Sequence, residues 1–135
     1  MTVKMIRGYL EAELRRHDFP HTEESGYLTF TAGFGGRRWK TALACGENRV
    51  SCYAAYPWLI PEERREGLLW RLNSLNAAAS YGSYFLLDTE QGCMIVFRCD
   101  ILIADGYSFA ECLEKGFKHM AAAFCARWDF LRITG

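Results

Sequence analysis

Apolar residues recur every three or four positions from Thr2 to His17, which is the period of an amphipathic helix. The recurring positions are Val3, Ile6, Leu10 and Leu14. Phe19-Pro20 follows and ends the pattern, because proline cannot continue a helix. The spacing therefore predicts a first helix between Thr2 and His17.

Three segments rich in aromatic, Thr and Val residues come after a polar stretch at 21–25. They read GYLTFTAGF, RRWKTALAC and NRVSCYAAY, and Gly-Gly and Gly-Glu-Asn separate them. Short runs of this composition between glycine-containing turns are typical of antiparallel strands. The pattern predicts a three-stranded meander. The polar stretch is predicted to be a connection that leads into it.

The second half of the chain predicts a helix, a hairpin and a further helix. The second helix begins at Pro61, ends at Gly82 and has a predicted buried stripe of Leu68, Leu69, Leu72 and Leu75. SYFLLD and CMIVFRC flank a turn that contains Gly92 and form the hairpin. The third helix follows Ser108, and its apolar positions are Phe109, Leu113, Phe117, Met120, Phe124, Trp128 and Leu131.

The predicted order is therefore α-β-β-β-α-β-β-α. Helices and hairpins, rather than strand-helix-strand units, indicate an α+β fold with a mainly antiparallel sheet. We expect one domain over residues 1–135, with five strands and the helices on one face of the sheet.

Composition narrows the function classes. Half of the 135 residues are apolar and 15% are aromatic, which is too rich for a disordered chain. The 16 basic and 16 acidic side chains balance, so nucleic acid and anionic membranes are disfavoured as partners. The first residues lack the apolar run of a signal peptide, so we expect a cytoplasmic protein without membrane association.

The residues that could carry chemistry form no recognisable catalytic or metal-binding set. The six cysteines include no Cys-x-x-Cys pair, so neither a metal nor a cofactor is expected and free thiols are favoured. Cys112 and His119 are seven residues apart on the third helix, about 10 Å along its axis and too far for a direct hydrogen bond. The glycine-rich turn 33–36 joins two strands, whereas phosphate-binding loops lead into a helix. We therefore expect no catalytic residues.

Cys45 and Cys52 flank the Gly-Glu-Asn turn, which suggests a pair that could oxidise across the hairpin.

Apolar side chains in unusual places suggest a protein interface. Trp58 and Leu59 lie in an apolar connection, where loops are usually polar, although Trp58 could instead pack onto the start of the second helix and the core. Trp70 lies off the leucine stripe, on the same side of the helix as Asn73 and Ala77, which makes it a candidate interface anchor. A wide apolar face of the helix could still bury it in the core. These five residues are the candidate interface.

Residues 61–125 resemble the YbjN family. That family has a helix with an Arg and a Leu-Asn-x-x-Asn run, a Gly-x-Phe strand start, an acidic turn with Gly, and a strand that ends in an aromatic residue and Arg. The matching residues here are Pro61, Arg64, Leu68, Leu72, Asn73, Asn76, Gly82, Phe85, Asp88, Gly92, Val96, Phe97 and Arg98. Over residues 1–60 only the order of elements is similar, and that order also resembles type III secretion chaperones.

The resemblance implies a non-enzymatic homodimer that acts as a sensory-transduction regulator or chaperone-like adaptor for another protein. In the related chaperones the second helix contributes to the dimer contact, a role that would fall here on Trp70 and Asn73. The neutral charge departs from the acidic character of secretion chaperones, and the six cysteines match no feature of the family. A small-ligand or redox-responsive sensor, with a pocket between the sheet and the third helix or with the Cys45 and Cys52 pair, is the alternative.

Overall fold

The computed structural model describes residues 1–134. Its elements, in chain order, are α1 (Val3–Arg16), β1 (Thr22–Glu24), β2 (Tyr27–Phe34), β3 (Arg37–Gly46), β4 (Arg49–Ala55), α2 (Glu62–Ala78), β5 (Ser83–Thr89), β6 (Gly92–Leu102), α3 (Phe109–Ala126) and α4 (Trp128–Thr134).

All of these strands belong to one antiparallel sheet with the order β1-β2-β3-β4-β6-β5. The α+β prediction is confirmed, but the predicted count of five strands is wrong, because the polar stretch contains β1. Ser25 and Gly26 both have positive φ, at 51° and 86°, which is the backbone of a tight hairpin turn between β1 and β2. The Thr22 and Thr29 hydroxyls hydrogen-bond across this pair at 2.8 Å. The short, charged β1 forms one edge of the sheet and β5 forms the other.

The helices pack on the same face of the sheet. Their buried side chains meet alternate residues of the strands in one core, whose fully buried large members are Tyr56, Phe97, Phe124, Ile6, Leu10, Leu43, Ile60, Leu68, Ile95, Met120, Leu131 and Val50. The opposite face of the sheet carries no helix among the described residues.

Two helix boundaries differ from the predictions. α2 ends at Ala78 rather than at Gly82, so residues 79–82 form a connection into β5. The predicted third helix is divided at Arg127 into α3 and α4, and Arg127 has a ψ of 0°, outside the α-helical range. Leu69 is also not part of the buried stripe, since it is 40% exposed.

No helix in the described part of the chain has both the length and the apolar character that crossing a bilayer requires.

Candidate functional site

Strand β5 is the longer of the two sheet edges, and its free side is partly closed by a side chain of α2. Asn76 accepts a hydrogen bond from the Tyr84 backbone N–H at 2.7 Å and donates one to the Tyr84 carbonyl at 2.8 Å. Its amide thus takes the place of a neighbouring strand at that residue. Two residues further on, Leu86 presents its backbone to the same side and has no such partner among the described residues.

Both faces of β5 are apolar. Tyr84 and Leu86 point to the helix-covered face and pack with the core. Phe85 and Leu87 point to the opposite face and are 37% and 47% exposed. A strand with one solvated face normally alternates apolar with polar residues, so Phe85 and Leu87 mark surface that suits a contact.

The outer side of α2 continues this apolar surface around the sheet edge. Trp70 is 70% exposed and Leu69 is 40% exposed, and both line a groove of about 550 Å³ between α2 and β5 that also includes Asn73 and Phe85. We call Leu69, Trp70, Asn73, Phe85 and Leu87 the β5 edge surface.

An ion pair borders the β5 edge surface at one end. Arg65 donates to the two carboxylate oxygens of Asp88 at 3.1 and 3.3 Å, and this hydrogen bond raises the pKa of Arg65. The pair links the first half of α2 to the end of β5. It places a charged rim beside an apolar centre, which is the usual arrangement in a protein interface.

The structure separates the five predicted interface residues into two groups. Trp70, Asn73 and Ala77 are exposed along one side of α2, next to β5. Trp58 and Leu59 lie in the connection before α2, and only Leu59 is well exposed, at 45%. The second group is therefore not part of the β5 edge surface.

Trp58 packs against the aromatic end of the core, which is the alternative that the sequence left open. Its ring lies 5.2 Å from that of Trp128 and 5.3 Å from that of Tyr56. Tyr56 stacks on Phe124 at 3.9 Å and its hydroxyl donates to the Phe124 carbonyl at 2.7 Å. This cluster joins β4 to α3 and α4, so Trp58 has a structural role in the core.

Sequence reasoning missed Phe85 and Leu87. The signal for both was present, because SYFLLD has four consecutive apolar residues rather than an alternating pattern. A strand that is apolar on both sides is either buried on both sides or available for a contact.

The uncovered face of the sheet also carries an aromatic row. The Tyr53 ring lies 5.9 Å from that of Tyr27 and 6.4 Å from that of Phe85, edge to face in both cases. The Arg98 guanidinium lies 5.5 Å from the centre of the Tyr53 ring. This row connects the β5 edge surface with the middle of the sheet.

The register of the β3–β4 hairpin separates Cys45 from Cys52. Cys45 lies opposite Val50, so the two cysteines do not face each other across the hairpin, a possibility that the sequence left open. The two-residue turn at Glu47 and Asn48 places the two cysteines two residues out of register. All six cysteines are free thiols, and burial raises the pKa of Cys45, Cys93 and Cys125.

A second concavity lies between α1, β2 and α3. It has a volume of about 360 Å³, and its apolar lining includes Leu14, Phe30, Trp39, Leu113 and Phe117. Charged side chains of α1 and α3 stand at its rim and pair within their own helices, as Arg16 does with Glu13 at 2.9 Å. The cavity therefore offers apolar walls without an unpaired charge at the rim.

Within residues 1–134, no three His, Cys, Asp or Glu side chains converge in a way that could hold a metal ion. His119 stacks on Tyr81, with ring centres 3.9 Å apart.

These features define an α+β domain with one helix-covered sheet face and one apolar edge surface. No protein-family model matches the chain, and no curated protein matches it. The fold is similar to that of the crystal structure of YbjN from E. coli, a proposed transcription regulator, with a TM-score of 0.60 over 89% of both chains. The two sequences are 14% identical over that match, so the chain has a YbjN-like fold and the likeness shows the fold alone.

Proposed function

We propose that this chain is a non-catalytic protein-binding module that acts as a homodimer, in the manner of an adaptor or regulator. The observation that carries this proposal is the β5 edge surface, where exposed apolar side chains of α2 and β5 form one groove next to a sheet edge. Exposed apolar patches bordered by polar residues usually mark interaction sites.

Trp70 is the expected anchor of the contact. Tryptophan is enriched among the interface residues that contribute most to binding, and a side chain 70% exposed in the single chain has a large area to bury. Side chains, rather than backbone pairing, would dominate the contact, because Asn76 already occupies the outward backbone of Tyr84. The YbjN-like fold supports the regulatory role at the level of analogy.

The test is the molar mass of the protein in solution, which distinguishes a dimer from a monomer. Trp70→Glu should convert a dimer into a monomer while the far-UV circular dichroism stays unchanged. Met5→Glu is the matched control, because Met5 is also an exposed apolar residue on a helix and is 47% exposed. A wild-type chain that is already monomeric across the micromolar range, or a Trp70→Glu variant that remains dimeric, would contradict the homodimer.

A second candidate function is a small-ligand sensor, which the cavity between α1, β2 and α3 favours. Its volume of about 360 Å³ is at the lower end for ligand pockets, and its lining is mostly apolar. A thermal shift with decanoate tests this function, and Ala121→Leu, which adds volume to the cavity wall, should remove the shift. An unchanged melting temperature at millimolar decanoate would exclude this class of ligand.

A further inference from the structure

Two buried cysteines face each other at the centre of the sheet. Cys52 of β4 lies directly opposite Cys99 of β6, and the two residues are 0% and 4% exposed. Both belong to the core on the helix-covered face. This pair is distinct from Cys45 and Cys52, whose register keeps them apart.

The Cα spacing of this pair lies within the range of disulfides. The Tyr56 N–H bonds to the Ile95 carbonyl at 3.0 Å, and the alternation of an antiparallel ladder then makes Cys52 and Cys99 a hydrogen-bonded pair. Such pairs have Cα atoms about 5.5 Å apart, within the range of roughly 4.4 to 6.8 Å that disulfides span. Their Cβ atoms, about 5.5 Å apart in a hydrogen-bonded pair, must approach to the roughly 3.5 to 4.5 Å of a disulfide. The two strands therefore have to move toward each other by about 1 Å, and the strained bond that forms is readily reduced.

The two thiols differ in acidity. A hydrogen bond from Cys52 lowers the pKa of Cys99, and a hydrogen bond from the Tyr81 hydroxyl lowers it further, against the opposing effect of burial. The pKa of Cys52 is raised by the same contact with Cys99 and by burial. Cys99 thus ionises first and is the better nucleophile.

A side chain that reaches the surface lies close to this pair. Tyr81 is half-buried in the connection between α2 and β5, and its ring stacks on that of the exposed His119. The Tyr81 ring also lies 6.0 Å from that of Phe97, which is two residues before Cys99 on the same face of β6. We therefore expect movement of the connection at 79–82 to open a path to Cys99 without separating β4 from β6.

We propose that Cys52 and Cys99 form a reversible dithiol–disulfide site that hydrogen peroxide or another small hydroperoxide oxidises. The Cys99 thiolate attacks a peroxide oxygen, the O–O bond breaks, and the leaving hydroxide takes up the Cys99 proton as water. The Cys52 sulfur then attacks the sulfenic sulfur of Cys99, the S–O bond breaks, and the hydroxide leaves with the Cys52 proton as a second water. Two thiols are oxidised and one peroxide is reduced to two waters.

The experiment treats the folded full-length chain with increasing hydrogen peroxide and counts thiols after denaturation. Two of the six thiols should be lost together, and dithiothreitol should restore them. Peptide mapping without reduction should identify a linked pair of peptides that contain Cys52 and Cys99. A link that involves Cys45, a link between chains, or Cys99 recovered as sulfinic acid without a link would overturn the proposal. So would retention of all six thiols up to the peroxide concentration that unfolds the chain.

Variants separate nucleophile activation from access. Tyr81→Phe keeps the ring and removes the hydroxyl, so oxidation should be several-fold slower. His119→Ala removes the stacking partner and keeps the hydroxyl, so oxidation should be several-fold faster. Cys45→Ser is the matched control and should leave both the rate and the two-thiol stoichiometry unchanged. Equal rates in the Tyr81 and His119 variants would contradict the roles assigned to these two residues.

Discussion

Replacement of Asn76 by alanine tests how the free side of β5 is protected. The change removes two hydrogen bonds to the Tyr84 backbone, of 2.7 and 2.8 Å, and leaves a partly buried N–H and C=O without partners. Each such bond contributes a net ~0.5 to 1.5 kcal/mol, so the loss is ~1 to 3 kcal/mol. Alanine is a better helix former than asparagine, which offsets this loss by about 0.5 kcal/mol.

Asn73→Ala is the matched control. Asn73 lies almost one turn earlier on α2, is exposed, and makes the same gain in helix propensity without losing a hydrogen bond to β5. Because Asn73 belongs to the β5 edge surface, both changes are made in the Trp70→Glu variant, in which the proposed dimer contact is removed. We expect the free energies of unfolding of the two variants to differ by about 2 kcal/mol. Urea unfolding of both variants at one chain concentration measures this difference.

The Asn76→Ala variant should also associate more strongly, because Tyr84 and Leu86 would then offer their backbone groups together at the edge. Light scattering over a range of concentrations measures this. Equal urea midpoints for the two variants would refute the view that Asn76 supports the edge, whatever the association behaviour.

Three further predictions rest on single contacts. Gly82→Ala should lower the free energy of unfolding by about 2 to 5 kcal/mol, because φ is +70° and a Cβ would lie 2.4 Å from the Phe97 ring. Gly106→Ala should lower it by only about 1 kcal/mol, because φ is +85° but the space around the new Cβ is open. Thermal unfolding of the two variants compares these costs. Burial raises the pKa of Tyr56 in the folded chain above its unfolded value of about 10. The contribution of the neutral Tyr56 to stability is therefore complete below about pH 10 and is lost as the pH rises above this value. Above about pH 10, the free energy of unfolding should fall less steeply with pH in Tyr56→Phe than in the wild type. Ser108→Ala removes the N-cap of α3 and should cost about 1 kcal/mol in urea unfolding, and an unchanged midpoint would show that the cap contributes nothing.

Local periodicity was sufficient for most of the fold. The spacing of Leu113, Met120 and Phe124 predicted α3, and these residues are buried in it. β1 was missed because its residues are exposed and polar, so only the turn at Ser25 and Gly26 marked it. The break between α3 and α4 has no proline or glycine, and the apolar spacing continues through it.

The candidate site was harder to predict because it depends on which elements become neighbours. The helical angle of Trp70 correctly placed it off the buried stripe, and it is 70% exposed. The contact between Asn76 and Tyr84 could not be predicted, since it requires knowledge of which backbone groups of β5 face away from β6. The pairing of Cys52 with Cys99 likewise follows only from the order of strands in the sheet.

The order of synthesis determines when α2 can begin to protect β5. Tyr84 to Leu87 is a short apolar segment without proline or charge, the type of sequence that associates with other chains when it is exposed. A ribosome synthesises α2 before it synthesises β5, and Asn76 lies only eight residues ahead of the backbone groups that it binds. The protecting side chain therefore leaves the ribosome first, and the strand can be covered as soon as it emerges, before β6 exists to pair with it.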